Sequence, residues 1–254
     1  MRSDNPTLSS SAFANSTLFL YLIDEYAKGS GRVICRCCFS EVVMIKAVVF
    51  DLDDTLVDSW SRFDGGMLPV LDAEGITYDR DEMIAKMHPQ GVPPTAALFC
   101  EMGVPGTVEE VTHRLEERMY REYAQRIRLM PGTEEYLSRL RADGVRLFVL
   151  TASPHSITDP CLRNNGVLDW FEQVWTVEDY GMGKSDPELF VRVVKDIGVS
   201  ADEILYYDDN PVAVTNAAAA GMQVCGVLCP HTPENAKKIC EISERYIASF
   251  LDII

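Results

Sequence analysis

Basic residues are scarce in this chain. Lys and Arg number 23 against 39 Asp and Glu in 254 residues, a formal net charge of −16. Nucleic-acid binding needs clustered Lys and Arg to neutralise phosphates, so this balance argues against a nucleic-acid partner. It leaves anionic small molecules open, because a bound divalent cation inverts the local field. Near the N-terminus the apolar piece 18–23 is interrupted by Asp24 and Glu25. It is far shorter than the roughly 20 residues a spanning helix needs. The basic start and small-residue cleavage site of a secretory signal are missing as well, so no membrane partner is expected. The eight cysteines show no recurring spacing that would read as a disulfide framework. Cys35, Cys37 and Cys38 cluster, but the second ligand pair of a structural zinc site is absent. A reducing, cytoplasmic compartment is expected. No internal repeat or low-complexity tract is present.

What remains is the composition of a globular protein, 47% hydrophobic and 24% charged. The length fits one large domain or a core with a smaller companion. Residues 1–43 differ from the rest: four basic and four acidic side chains cancel there, and the segment reads as a poorly ordered extension or an over-long assigned start. From residue 45 onward apolar strands alternate with helical patterns, the signature of a parallel α/β sheet. Strands are expected at about 47–51, 146–151, 173–176, 204–208 and 223–228. Pro131-Gly132-Thr133 introduces a helix that Asp143-Gly144 ends, and Pro187 opens another. The stretch from about 59 to 129 interrupts the alternation with helical patterns only. The expected architecture is therefore a Rossmann-like parallel sheet flanked by helices, with a helical cap inserted after the first strand. In residue terms, 44–58 and 130–254 form the core and 59–129 the cap.

The chemistry lies at strand ends. The run Lys46-Ala47-Val48-Val49-Phe50 is continuous and apolar, as in a strand buried on both faces, and it stops in Asp51-Leu52-Asp53-Asp54-Thr55. Open α/β sheets carry their sites at the carboxyl ends of such strands. Carboxylates crowded there repel one another unless a cation neutralises them. A second strand ends in Leu150-Thr151-Ala152-Ser153, Lys184 stands just before the helix at Pro187, and a fourth strand ends in Tyr207-Asp208-Asp209-Asn210. Acids, a hydroxyl and a fixed cation are the inventory of phosphoryl transfer, whose catalysis is mostly positioning and charge stabilisation.

In type, order and approximate spacing these four clusters resemble the motifs of the haloacid dehalogenase-like superfamily, in its phosphatase branch with a helical cap. The resemblance spans about residues 44 to 230. It implies that Asp51 is the nucleophile that forms an aspartyl-phosphate, and that Asp53 is the general acid and then the base. It implies that Thr151 and Lys184 hold phosphoryl oxygens. Mg²⁺ is the implied cofactor, bound by Asp209 with Asp208 beside it, by the Asp51 carboxylate and by the Asp53 backbone carbonyl. The implied function is a Mg²⁺-dependent phosphatase acting on a small phosphorylated metabolite. A phosphomutase similar to β-phosphoglucomutase is the alternative, and a catalytically silent binding module a further one. A dehalogenase proper is disfavoured, since it needs no acid two residues after the nucleophile. Four further expectations concern neighbours: Asp54 as a turn residue directed away from the metal, Arg62 as a solvated helix charge, His155 as a loop histidine, and Ser153 as either a backbone donor to phosphate or loop scaffolding.

Overall fold

The computed structural model describes residues 44–88 and 90–254. The extension 1–43, with Cys35, Cys37 and Cys38, lies outside the described residues. In chain order come strand β1 (Ala47–Phe50), strand β2 (Val57–Asp58), a π-helical turn (Arg62–Met67) and helices α1 (Pro69–Ala73), α2 (Arg80–Met87), α3 (Val92–Glu101) and α4 (Val108–Gln125). Then follow β3 (Arg128–Leu129), α5 (Thr133–Ala142), β4 (Arg146–Thr151), α6 (His155–Asn164), β5 (Gln173–Thr176) and α7 (Val177–Tyr180). The chain continues through α8 (Pro187–Ile197), β6 (Ile204–Asp208), α9 (Pro211–Ala219), β7 (Gln223–Val227), α10 (Pro233–Ile242) and β8 (Tyr246–Ile247).

Six strands form a sheet in the order β5-β4-β1-β6-β7-β8, and every neighbouring pair is parallel. β1 lies at its centre with all four side chains fully buried. Alternate residues face opposite ways, as strand geometry requires. Val48 and Phe50 join a core shared with Tyr136, Leu137, Cys161 and Leu162 of α5 and α6. Ala47 and Val49 join one shared with Leu189, Phe190 and Val193 of α8 and with Ala213 and Ala217 of α9. The result is a sheet between two helical layers.

Local signals set the elements that carry the site. Asp186 caps α8 by accepting from the Glu188 N–H at 3.0 Å, with Pro187 in the first turn. Asn210 caps α9 in the same way through the Val212 N–H at 2.9 Å. Both caps fall directly beside chemistry-bearing residues, so the turn that starts each helix also fixes the site.

The helical insert leaves and rejoins the sheet domain through a two-stranded antiparallel ribbon, with Val57 opposite Leu129 and Asp58 opposite Arg128. Behind it, Gly132 opens α5 with φ +83°. A Cβ there would lie 2.5 Å from the Leu251 backbone nitrogen and 2.8 Å from the Phe250 carbonyl carbon. The left-handed backbone costs an L-residue roughly 1–2 kcal/mol, and overpacking against backbone adds about 1–3 kcal/mol. Gly132→Ala is therefore expected to lose about 2–5 kcal/mol of unfolding free energy in urea titration. A loss below about 0.5 kcal/mol would show that the C-terminal turn yields freely.

Candidate active site

β1 delivers Asp51 to the carboxyl edge of the sheet, where its N–H still pairs with the Tyr207 carbonyl at 2.9 Å. β6 delivers Asp208 and Asp209 beside it. Asp51, Asp208 and Asp209 each offer a carboxylate oxygen, and these oxygens lie within 4.8 Å of one another. Lys184, on the loop before α8, reaches between them. Its Nζ donates to Asp51 Oδ1 and, at 2.8 Å, to Asp208 Oδ2. The Asn216 amide holds the Lys184 carbonyl at 2.9 Å and so anchors that loop.

Asp208 is fully engaged. Its Oδ1 accepts the Asn210 N–H at 2.7 Å, and its Oδ2 accepts the Tyr206 hydroxyl as well as Lys184. Asp209 has no hydrogen bond from its carboxylate to the described residues. Thr151 ends β4 with 1% exposure. Its Oγ1 accepts the Ser153 N–H at 3.0 Å, which leaves the threonine proton free to donate.

One lysine cannot neutralise three closely spaced carboxylates, two of them buried. At about 4 Å, two like charges repel by roughly 4 kcal/mol at an effective dielectric of 20. The acids respond by holding protons. Burial, with Asp208 and Asp53 adding to it against Lys184, pushes Asp51 up to about 8. Burial, followed by Asp208 and Asp51, raises Asp209 well above the carboxylate range. Burial opposes the charge on Lys184, but Asp208 and Asp51 outweigh it and raise that group. An all-oxygen, anion-rich cluster with uncommitted oxygens on Asp51 and Asp209 is the donor set a small hard divalent cation takes.

Asp53 stands apart from the cluster. Its Oδ1 accepts the Tyr123 hydroxyl, and its Oδ2 accepts the Ser153 hydroxyl at 2.6 Å. Asp51, Asp53, Thr151, Lys184, Asp208 and Asp209 nonetheless line one cavity, and the structure adds three roles that sequence patterns did not give, those of Tyr123, Arg62 and the Ser153 hydroxyl. Three expectations are corrected. Arg62 is not a solvated charge. Its side chain is 12% exposed and pairs with Asp54 at 3.3 Å, donates to Ser59 Oγ at 2.5 Å, and lies 4.6 Å from the Phe63 ring centre. Asp54 does occupy a turn, with φ +58°, but its carboxylate turns inward to Arg62 and to within 4.8 Å of the Asp209 and Cys229 ligand atoms. His155 opens α6 rather than a loop, and its ring sits between Asp159 and Asp179 at 3.0 Å each.

A cavity of roughly 430 Å³ opens over these groups. Its floor is the strand-end set, Asp51, Asp53, Thr151, Lys184 and Asp209. Its walls include Arg62, Phe63, Met67, Met87, Met119 and Tyr123 of the insert. Ligand-sized volume, convergent polar groups and shifted acids at the carboxyl edge of a parallel sheet mark a reaction site.

Comparison with known proteins agrees in extent and kind. The sequence profile of the haloacid dehalogenase-like hydrolases matches residues 48–227. A plasmid-borne phosphoglycolate phosphatase of Cupriavidus necator is 30% identical, over 70% of this chain and 79% of its own length. A phosphorylated carbohydrates phosphatase of Thermotoga maritima is 22% identical, over 78% of this chain and 91% of its own. The solved structure of a candidate β-phosphoglucomutase from Thermotoga maritima superposes with a TM-score of 0.65 at 19% identity, covering 78% of this chain and 99% of that one. Among the described residues no helix is long and apolar enough to cross a membrane.

Proposed function

Because the chain belongs to the haloacid dehalogenase-like hydrolase family, we propose that it is a Mg²⁺-dependent phosphatase that hydrolyses a small phosphorylated metabolite through an aspartyl-phosphate. The observation that carries this reading is Lys184 set between Asp51 and Asp208 on the floor of the insert-covered cavity. Asp51 Oδ attacks phosphorus. The ester P–O bond breaks, and the leaving oxygen takes a proton from Asp53. Asp53, now a carboxylate, removes a proton from water as that water attacks the aspartyl-phosphate, which releases phosphate and restores Asp51. Thr151 and Lys184 hold phosphoryl oxygens by hydrogen bonding and charge. The insert walls exclude bulk water from these steps.

Asp51, Asp209 and the Asp53 backbone carbonyl would hold the cation, with Asp208 beside them. Asp208, whose oxygens are both occupied, mainly fixes Lys184. When bound, Mg²⁺ supplies charge neutralisation that lets an anionic carboxylate approach an anionic phosphate.

Metal-dependent phosphate release from a panel of sugar phosphates, phosphoglycolate and nucleotides tests this function. Isomerisation of a hexose 1-phosphate without phosphate release would identify the mutase instead. Inactivity on both would leave a binding module.

The cation also has a stability signature. In its absence the folded state holds the Asp51 proton up to about 8, whereas the unfolded chain releases it near 4. The folded state thus binds more protons in that window, and stability falls as pH rises through it. Mg²⁺ competes with that proton, so its binding tightens with rising pH. The gain in melting temperature on adding Mg²⁺ is expected to be larger at pH 8 than at pH 6. An equal or smaller gain at pH 8 would contradict the ligand assignment.

A further inference from the structure

Asp53 is held from two sides. The Tyr123 hydroxyl, from α4 of the insert, meets Oδ1, and the Ser153 hydroxyl, from the loop after β4, meets Oδ2 at 2.6 Å. Arg62 Nη1 lies 4.0 Å from Oδ1. Tyr123 is almost wholly buried, at 1% exposure, while the Asp53 side chain keeps 21% and faces the cavity. With both oxygens hydrogen-bonded from opposite walls, neither torsion of the carboxyl group is free. Tyr123 meets Asp53 as a hydrogen-bond donor.

We propose that Tyr123 is a positioning residue contributed by the insert, whose hydroxyl aims the Asp53 carboxyl group at the leaving oxygen. This rests on the phosphatase reading, with Asp53 as acid and base. Tyr123 keeps its own proton throughout: the proton on the departing oxygen comes from Asp53, and Asp53 is reprotonated by the attacking water. Because Tyr123 belongs to the insert and Asp53 to the sheet domain, the aim of the acid depends on the insert being seated.

The test separates aim from mere packing through the leaving group. A 4-nitrophenolate departs without protonation, while an alkoxide does not. kcat/KM reports the steps up to departure of that group, before the shared aspartyl-phosphate is hydrolysed. It is measured for 4-nitrophenyl phosphate and for the fastest alkyl phosphate of the panel, in wild type, Tyr123→Phe, Ser153→Ala and Asp53→Asn. Misplacing a catalytic group can cost on the order of 10²-fold. Tyr123→Phe should therefore lower kcat/KM by about 10- to 100-fold on the alkyl ester and by less than about threefold on the aryl ester. Asp53→Asn should show the same split, enlarged. Ser153→Ala, which removes the opposite hydroxyl, should show it too, and it decides the matter if Tyr123→Phe does not fold. Equal losses on both esters, or none, in Tyr123→Phe while Asp53→Asn keeps its split would overturn the positioning role and leave the phosphatase reading intact. No split in Asp53→Asn, or no hydrolysis of either ester by wild type, would overturn both.

Discussion

Asp51→Asn is expected to lose turnover by on the order of 10⁴-fold or more, in a protein that still folds. The amide has the shape of the carboxylate and keeps an oxygen that can accept the Lys184 ammonium. What it lacks is an anionic oxygen able to bond to phosphorus. The fold should survive because the charged form of Asp51 is poorly matched to its surroundings. Burial is the largest influence on that group, with Asp208 and Asp53 opposing its ionisation as well. A neutral isostere removes that conflict. In the absence of Mg²⁺ at pH 8, the melting temperature of the variant should equal or exceed that of the wild type. The rise in melting temperature on adding Mg²⁺ should shrink, since an anionic oxygen of the donor set is gone. Activity within about tenfold of wild type in a folded variant would remove Asp51 as nucleophile.

Lys184→Met should damage both stability and chemistry. The lysine is 11% exposed and its Asp208 partner 1%. Methionine replaces the stem but leaves Asp51 and Asp208 facing each other without the cation between them. Breaking a buried pair by removing one partner costs about 3–5 kcal/mol, because a buried charge is stranded. Urea titration should show this loss with an unchanged m value. Turnover should fall by about 10²–10³-fold, the usual cost of losing one preorganised donor to the transferring group. The stability loss is specific to the pair. Adding Asp208→Asn to Lys184→Met should return part of it, since the amide strands no charge. Full additivity of the two substitutions would mean that Lys184 and Asp208 do not act as a pair.

The parts of this site that sequence revealed share one property: each is written within a few residues. An apolar run that ends in Asp51 or Asp208 is a strand buried on both faces meeting the carboxyl edge. A Pro in the first helical turn, at Pro187, dates the start of the next helix. The five expected strands occur within a residue of their expected limits. The edge strand Tyr246–Ile247 and the ribbon joining Val57–Asp58 to Arg128–Leu129 were not legible, because two residues have no period to read. Nor was the setting of Asp53. Tyr123 and Ser153 reach it across 70 and 100 residues of chain, and nothing local to either marks that meeting. Arg62 looked like an ordinary helix charge for the same reason, since its partner Asp54 is presented by a left-handed turn. An acid in that turn gave no local sign of facing inward.

The proposed mechanism passes through a covalent bond between phosphorus and Asp51. Wild-type protein, quenched in acid during turnover of its best substrate with Mg²⁺, should yield a peptide containing Asp51 that carries the mass of one phosphoryl group. Asp51→Asn, treated in the same way, should yield none. Phosphate released at full rate with no such adduct on the wild-type peptide, or an adduct on a residue other than Asp51, would contradict the mechanism.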